Sequence, residues 1–270
     1  MSWQTWICAT CGVEYPPAEE AAATCPICTD SRQYVGLHGQ QWTAMETLAA
    51  KHRNVFAEEE PGIWSIKTHP NFAIGQHAYL IQTSEGNFLW DCVSLLDEPT
   101  KRRIEALGGI HAIAVSHAHY YSAMAEWSET FNAPLYIHTY DREWVVRTCQ
   151  KLELWDGDSK QLFGGIRLIL SGGHFRGYQV AHLSKGAGIL LAGDQPQVCM
   201  DRRWVSFMYS YPNIIPFNAK TVRRITASLA PYEFDRIYGA FGRNVLHGAK
   251  EVIARSEARY LRALEHDPES

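Results

Sequence analysis

The sequence predicts a mixed α/β protein with a small cysteine-rich metal module ahead of a larger domain. Three observations lead there. Two C-x-x-C pairs, Cys8/Cys11 and Cys25/Cys28, fall within the first 36 residues. From Ile63 onward, short apolar runs alternate first with hairpin turns and then with helical patterns, as in sheets covered by helices. Residue types that ligate metals stand at the ends of three of those runs: His117 with His119, then His174, then Asp194.

The bulk properties narrow the class. A chain of 270 residues suits one large domain, or one domain plus a small module. Its 46% hydrophobic and 20% charged residues are ordinary for a soluble globular protein. A net charge of −4 leaves no basic footprint for nucleic acid or an anionic membrane, so neither partner is expected. No apolar run approaches the roughly 20 residues that span a bilayer. The opening MSWQTWICATC lacks the basic-then-apolar pattern of a signal peptide, and the expectation is a cytoplasmic protein. Seven cysteines in that compartment read as metal ligands or free thiols.

The expected organisation is a module over 1–36, a linker and helix over 37–62, and the large domain over 63–270. In the module, thirteen residues separate two C-x-x-C pairs, each able to form a tight turn whose amides point at sulfur. Four thiolates close a tetrahedral site, and the metal supplies most of the folding free energy of so short a segment. The segment resembles a zinc ribbon and the short rubredoxin-like domain of rubrerythrins, through Cys11-Gly12 and Cys25-Pro26-Ile27-Cys28. Zinc is expected there. Iron, which thiolate tetrahedra also hold, would imply electron transfer. In the linker, QQWTAMETLAAKHRN has helical spacing and EEEPG, 58–62, reads as a turn.

Within the large domain, HAYLIQTS and GNFLWDCV read as a hairpin about Glu85-Gly86. DEPTKRRIEALGG reads as a helix capped by Asp97, with Pro99 in its first turn and Gly108 at its end. IHAIAVS is a strand delivering His117 and His119, YYSAMAEWSETF a helix, APLYIH a strand and DREWVVRTC a short helix. GIRLILSGGH is a strand whose glycine loop presents His174. YQVAHLS and GAGILLAGD form a hairpin about Lys185-Gly186 that presents Asp194, and NAKTVRRITASLAPY and KEVIARSEARYLRALE are helices.

YLIQTSEGNFLWD, SHAHYYS, SGGHFRGY and LLAGD together resemble the metallo-β-lactamase superfamily over about residues 63–260. That resemblance implies a four-layer αββα sandwich with its metal site at one edge of two sheets. It implies that His117, His119 and His174 bind one metal and that Asp194 bridges to a second. The family motif H-x-H-x-D-H is incomplete here, because Tyr121 and Ser122 stand in place of its Asp and last His. His247 is the remaining candidate for a C-terminal ligand, in a stretch with no matching motif.

What survives suits a mononuclear centre, with a second metal left open. Zinc in such a site lowers the pKa of bound water to about 7 and polarises a carbonyl. The expected activity is therefore hydrolysis of an ester, thioester, lactone or amide in a small-molecule substrate. Asp194 would act as ligand or proton acceptor, Asp91 as support behind the ligands, and Tyr120 or Tyr121 as a hydrogen-bond donor to the oxyanion. Both tyrosines have an equally good reading as packing residues. The segment 200–217, with Arg202 and Arg203, reads either as a substrate-covering loop or as core packing. Cys92, Cys149 and Cys199 read as buried thiols, and His111 as structural. An iron-dependent oxidoreductase, a nucleic-acid processing enzyme and a non-catalytic binding protein are the competing functions. Oligomeric state, a homo-oligomer included, is open.

Overall fold

A computed structural model describes residues 3–265. The chain divides into two compact units, the first running through Trp155 and the second beginning at Asp156.

The first unit opens with a ribbon, Trp6–Cys8 (β1) paired antiparallel with Trp42–Ala44 (β2), and between them the single turn Pro26–Thr29 (α1). Helix Met45–Lys51 (α2) follows at once. Its one buried residue, Leu48, packs with Ile7 and Leu95, so ribbon and sheet share an apolar cluster. Arg32 of the ribbon also stacks on the Trp144 ring, 5.1 Å from its centroid.

A seven-stranded sheet in sequence order follows: Arg53–Glu60 (β3), Ile63–His69 (β4), Ala78–Thr83 (β5), Gly86–Trp90 (β6), Ala112–Ala114 (β7), Leu135–His138 (β8) and Leu152–Trp155 (β9). The strands β3 to β6 are an antiparallel meander, and β6 to β9 are parallel. Parallel neighbours need crossovers. Helix Glu98–Ala106 (α3) links β6 to β7, and Met124–Phe131 (α4) links β7 to β8. The expected α3 signals hold: the Asp97 side chain accepts from the Thr100 amide at 3.0 Å, and proline stands in the first turn.

Three stretches differ from expectation. Residues 37–62 are no linker, because β2 completes the ribbon and β3 is an edge strand of the sheet. The turn is confined to Pro61 and Gly62. RNVFAEEE hides its strand character because an edge strand is solvated and needs no apolar alternation. The helix expected from Tyr120 starts only at Met124, after a 3₁₀ turn over Ala118–Tyr120. DREWVVRTC is a 3₁₀ turn over Thr139–Trp144, and β9 was not anticipated.

The second unit holds a six-stranded sheet. In chain order its strands are Ser159–Gln161 (β10), Ile166–Leu170 (β11), Gln179–Leu183 (β12), Ile189–Gly193 (β13), Arg236–Gly239 (β18) and Asn244–Val245 (β19). Between β13 and β18 lie two small ribbons, Gln197–Val198 (β14) with Val205–Ser206 (β15), and Met208–Ser210 (β16) with Ile215–Pro216 (β17). The central strands QVAHL and ILLAG are buried throughout, as strands covered on both faces must be. Helix Ala219–Leu229 (α5), capped by Asn218, and helix Ala249–Glu265 (α6) follow. The mixed α/β class and the β12–β13 hairpin are as expected.

That hairpin closes at Gly188, whose φ is +83° and where a Cβ would collide with the Glu233 carbonyl. Gly109 has a similar φ of +72° with nothing within 4 Å of an added Cβ. The two separate conformational strain from collision. Gly109→Ala should cost about 1–2 kcal/mol for the left-handed backbone alone. Gly188→Ala should cost several kcal/mol, on the order of an overpacked core site. Urea midpoints of the two variants check this, and equal losses would refute it.

Candidate metal centres

The first candidate centre is the cysteine quartet. Cys8, Cys11, Cys25 and Cys28 are all buried, and their sulfurs lie within 4.8 Å of one another. The Cys8–Cys28 and Cys11–Cys25 separations are 3.5 and 3.7 Å, too long for disulfides. Metal–sulfur bonds of about 2.3 Å at tetrahedral angles put sulfurs about 3.8 Å apart, so the quartet fits a metal ion. The Gln40 amide nitrogen donates to Cys8 Sγ at 3.1 Å, and the Cys25 amide donates to Gln40 Oε1 at 3.2 Å. Hydrogen bonding from Cys11 draws Cys8 toward the thiolate, while hydrogen bonding with Cys25 pushes Cys11 toward the thiol. Four negative sulfurs cannot share this pocket without a cation.

The first unit carries two of the candidate histidines. His117 and His119 follow β7 and are both buried, their rings 5.1 Å apart. The Ser116 hydroxyl sits 2.9 Å from His117 Nδ1, which makes Nε2 the candidate ligand atom. Ser116 is itself fixed, since its amide donates to Asp91 Oδ1 at 2.7 Å. Asp91 is buried at φ +57°, a strained left-handed position that Asp tolerates better than most residues. Asp91 thus braces the loop that carries His117, through the backbone of Ser116.

The two tyrosines lie in the interior. Both are buried, and the Tyr120 ring lies 4.4 Å from that of His117. The Tyr121 hydroxyl donates to the Asp141 carbonyl at 3.3 Å, and burial pushes its pKa well up. In this structure the hydroxyl expected to serve an oxyanion is therefore engaged by a backbone carbonyl. Ser122, in place of the motif's last histidine, accepts from Gln76 Nε2 at 2.8 Å.

The second unit carries His174 and Asp194. His174 is buried in the glycine loop after β11, its amide donating to Gln195 Oε1 at 2.8 Å. Gln195 Nε2 donates to the Gly172 carbonyl. A Cβ on Gly173 would meet the Gln195 side chain at 2.6 Å, so only glycine fits there. Asp194 is also buried, just beyond β13. The Tyr178 oxygen accepts from the amides of Asp194 and Gln195, both at 2.9 Å. Its proton faces the Ala192 carbonyl at 2.7 Å and Asp194 Oδ1 at 3.1 Å. His247 is exposed and sits 3.4 Å from Asp235, as a surface pair. Arg203 is exposed and tied to Asp201, and Arg202 donates to the Cys199 carbonyl. Cys92 is buried, whereas Cys149 and Cys199 are partly exposed. The His111 Nδ1 accepts from the Asn87 amide at 3.1 Å, the structural role expected of it.

Ser116, Gln76, Tyr178 and Gln195 were not anticipated. Only Ser116 had a signal, its place next to His-x-His.

No family model matches the chain. A Bacillus subtilis (strain 168) protein, "Uncharacterized protein YmaE", is 47% identical over 264 residues, with 96% of each chain covered. Solved structures are similar in fold. A metallo-β-lactamase with a HARLDQ motif from Cronobacter sakazakii is 21% identical, covering 81% of this chain and 96% of its own, at a TM-score of 0.51. The DIM-1 metallo-β-lactamase is 15% identical, covering 78% and 98%, at a TM-score of 0.60. TMB-1 is 14% identical with the same coverage and TM-score of 78%, 98% and 0.60. The fold is that of the metallo-β-lactamases, as the motifs implied. Among the described residues, no helix is long and apolar enough to cross a membrane.

One electrostatic feature of the ribbon is testable by pH. Burial raises the Glu14 carboxyl from 4.5 to about 7, against the pull of Arg147. One guanidinium serves three carboxylates, since Arg147 also reaches Glu126 and Glu129 at 3.1 and 2.9 Å. The folded pKa lies above the unfolded one. The associated stability is therefore complete below about 4.5 and lost as pH rises through about 7. Thermal midpoints should fall between about pH 5 and pH 8 in the wild type. Glu14→Gln, which cannot ionise, should flatten that part of the profile, and an unchanged slope would refute the assignment.

Proposed function

Because this chain belongs to the same family as the Bacillus subtilis protein YmaE and has the metallo-β-lactamase fold, we propose that it is a metal-dependent hydrolase. The proposed ligand set is His117, His119 and His174, and the observation that carries the reading is that each of these histidines is buried just beyond a strand end of its own unit. Their donor chemistry, three imidazoles presented from strand ends, suits a catalytic zinc with an open position. Zinc held there supplies a Lewis acid and lowers the pKa of the water it binds.

The chain's own residues supply the rest. Ser116 and Asp91 fix the His117 ring, and Gln195 fixes the backbone of His174. Asp194 is the proton acceptor in this reading. The residues that would complete a second metal site are replaced by Tyr121 and Ser122, which releases Asp194 from bridging. The Tyr178 hydroxyl stabilises its carboxylate. The substrate is a small molecule with an ester, thioester, lactone or amide bond. A net charge of −4 does not favour nucleic acid as the substrate. The seven free cysteines agree with a reducing cytoplasm.

One observation favours a second reading, an iron-dependent oxidoreductase: the cysteine quartet would suit iron as well as zinc. Elemental analysis with a visible spectrum separates the two. Two zinc ions per chain and no colour are expected, whereas a red thiolate-to-iron spectrum would favour electron transfer.

His119→Ala should remove one metal equivalent and at least about 10²-fold of the hydrolysis of an ester and lactone panel, leaving the ribbon metal in place. Unchanged metal content or unchanged turnover would sink the assignment.

A further inference from the structure

We infer that the cysteine ribbon positions the turn that bears His117 and His119, and is no independently tethered module. The contact is made by the knuckle Cys11–Glu14. The Glu14 amide donates to the Ser122 carbonyl at 3.0 Å. The Ser94 hydroxyl donates to the Gly12 carbonyl at 2.7 Å, in a buried setting. Gly12 has φ +82°, and an added Cβ there would strike Ser94 Oγ and reach Ser122 Oγ at 3.8 Å. The knuckle thus lies against the turn at backbone distance, with glycine permitting the approach.

Ser122 is the link. Its φ is +45°, a left-handed conformation that serine adopts only when its surroundings impose it. Two groups impose it here. Glu14 holds the carbonyl from the ribbon side, and Gln76 Nε2 holds the hydroxyl while also donating to the Cys92 carbonyl at 2.9 Å. From Ser122 back to His117 the chain is a tight ladder. Tyr120 N donates to His117 O at 3.0 Å and Tyr121 N to Ala118 O at 3.3 Å. On the far side, Met124 N donates to Tyr121 O at 2.8 Å. A shift of Ser122 is passed along those bonds to both histidines.

The conformation of the knuckle is set in turn by the quartet. Cys11 is its first residue, and the Gly12 amide donates to the Cys8 carbonyl at 2.8 Å. Whatever disperses the four sulfurs releases the knuckle. Loss of the ribbon metal therefore loosens the histidine turn, although the two lie in separate parts of the sequence. This coupling rests on contacts within the first unit and holds whether or not the histidines serve a hydrolase.

Hydrogen exchange read by mass spectrometry on the full-length, metal-loaded chain tests it. In Cys25→Ser, amides of 117–124 should exchange at least about tenfold faster, with α6 unchanged as the internal reference. Ser94→Ala keeps all four cysteines and removes one knuckle bond. It should retain the ribbon metal and speed exchange of the same peptide about fivefold, the loss of one hydrogen bond. Fast exchange of residues 8–14 in Cys25→Ser beside wild-type protection of 117–124 would overturn the coupling. Should Cys25→Ser lose protection everywhere, Ser94→Ala decides: acceleration confined to 117–124 supports the coupling, and wild-type protection there overturns it. Because exchange and not turnover is read, a failure of the hydrolase reading leaves a different signature, unchanged metal content in His119→Ala.

Discussion

Four buried sulfurs gathered within 4.8 Å of one another are a constraint that a chain can meet in only two ways. Either protons are shared among them, or a cation neutralises them. The first leaves thiols and thiolates packed together at a cost that desolvation makes steep. The second converts the same closeness into the main stabilising term for a segment with few apolar residues of its own. Among the described residues before β2, only Ile7, Val13 and Ile27 join the cysteines as fully buried hydrophobics. The ribbon is therefore the part of this protein whose order depends most directly on a metal.

That dependence spreads because the ribbon is built into the first unit. Ile7 packs with Leu48 and Leu95, Arg32 stacks on Trp144, and Arg147 reaches back to Glu14. The strained Ser122 lies where ribbon and sheet meet, with one hydrogen bond from each side. A left-handed serine costs on the order of 1–3 kcal/mol, and it persists only because both neighbours are rigid. In a two-metal site the residue at this point of the motif would face a metal. Here its hydroxyl faces Gln76, and packing holds the turn.

Much of this was legible in the sequence, and the limits have physical causes. The cysteine pairs, the capped helix at Asp97, the two hairpins and the strand-end positions of His117, His119, His174 and Asp194 announce themselves because each depends on local spacing. The edge strand Arg53–Glu60 does not, because a solvated edge needs no apolar period. The helix after His119 reads four residues too long, because Tyr120 to Ala123 have helical propensity that a 3₁₀ turn and the left-handed Ser122 override. Tyr178 and Gln195 leave no trace in a sequence read alone. Their partners, mostly backbone groups, lie up to 23 residues away, and nothing in the residue type foretells them.

Those silent residues show how the candidate histidine chemistry differs in kind from the ribbon. Ser116 orients the His117 ring, Asp91 orients Ser116, Gln195 anchors the His174 backbone, and Tyr178 gathers the turn at Asp194. The His117 ring and the His174 backbone are thus held by protein hydrogen bonds within their own units, ahead of any metal that they bind themselves. Such preorganisation keeps ligand geometry from relaxing around whichever ion arrives, which is what a site with an open position requires and a closed structural site does not. Around the cysteine quartet, Gln40 donates to Cys8 Sγ and accepts from the Cys25 amide. In one chain, then, the metal organises the ribbon, and the fold organises the histidines.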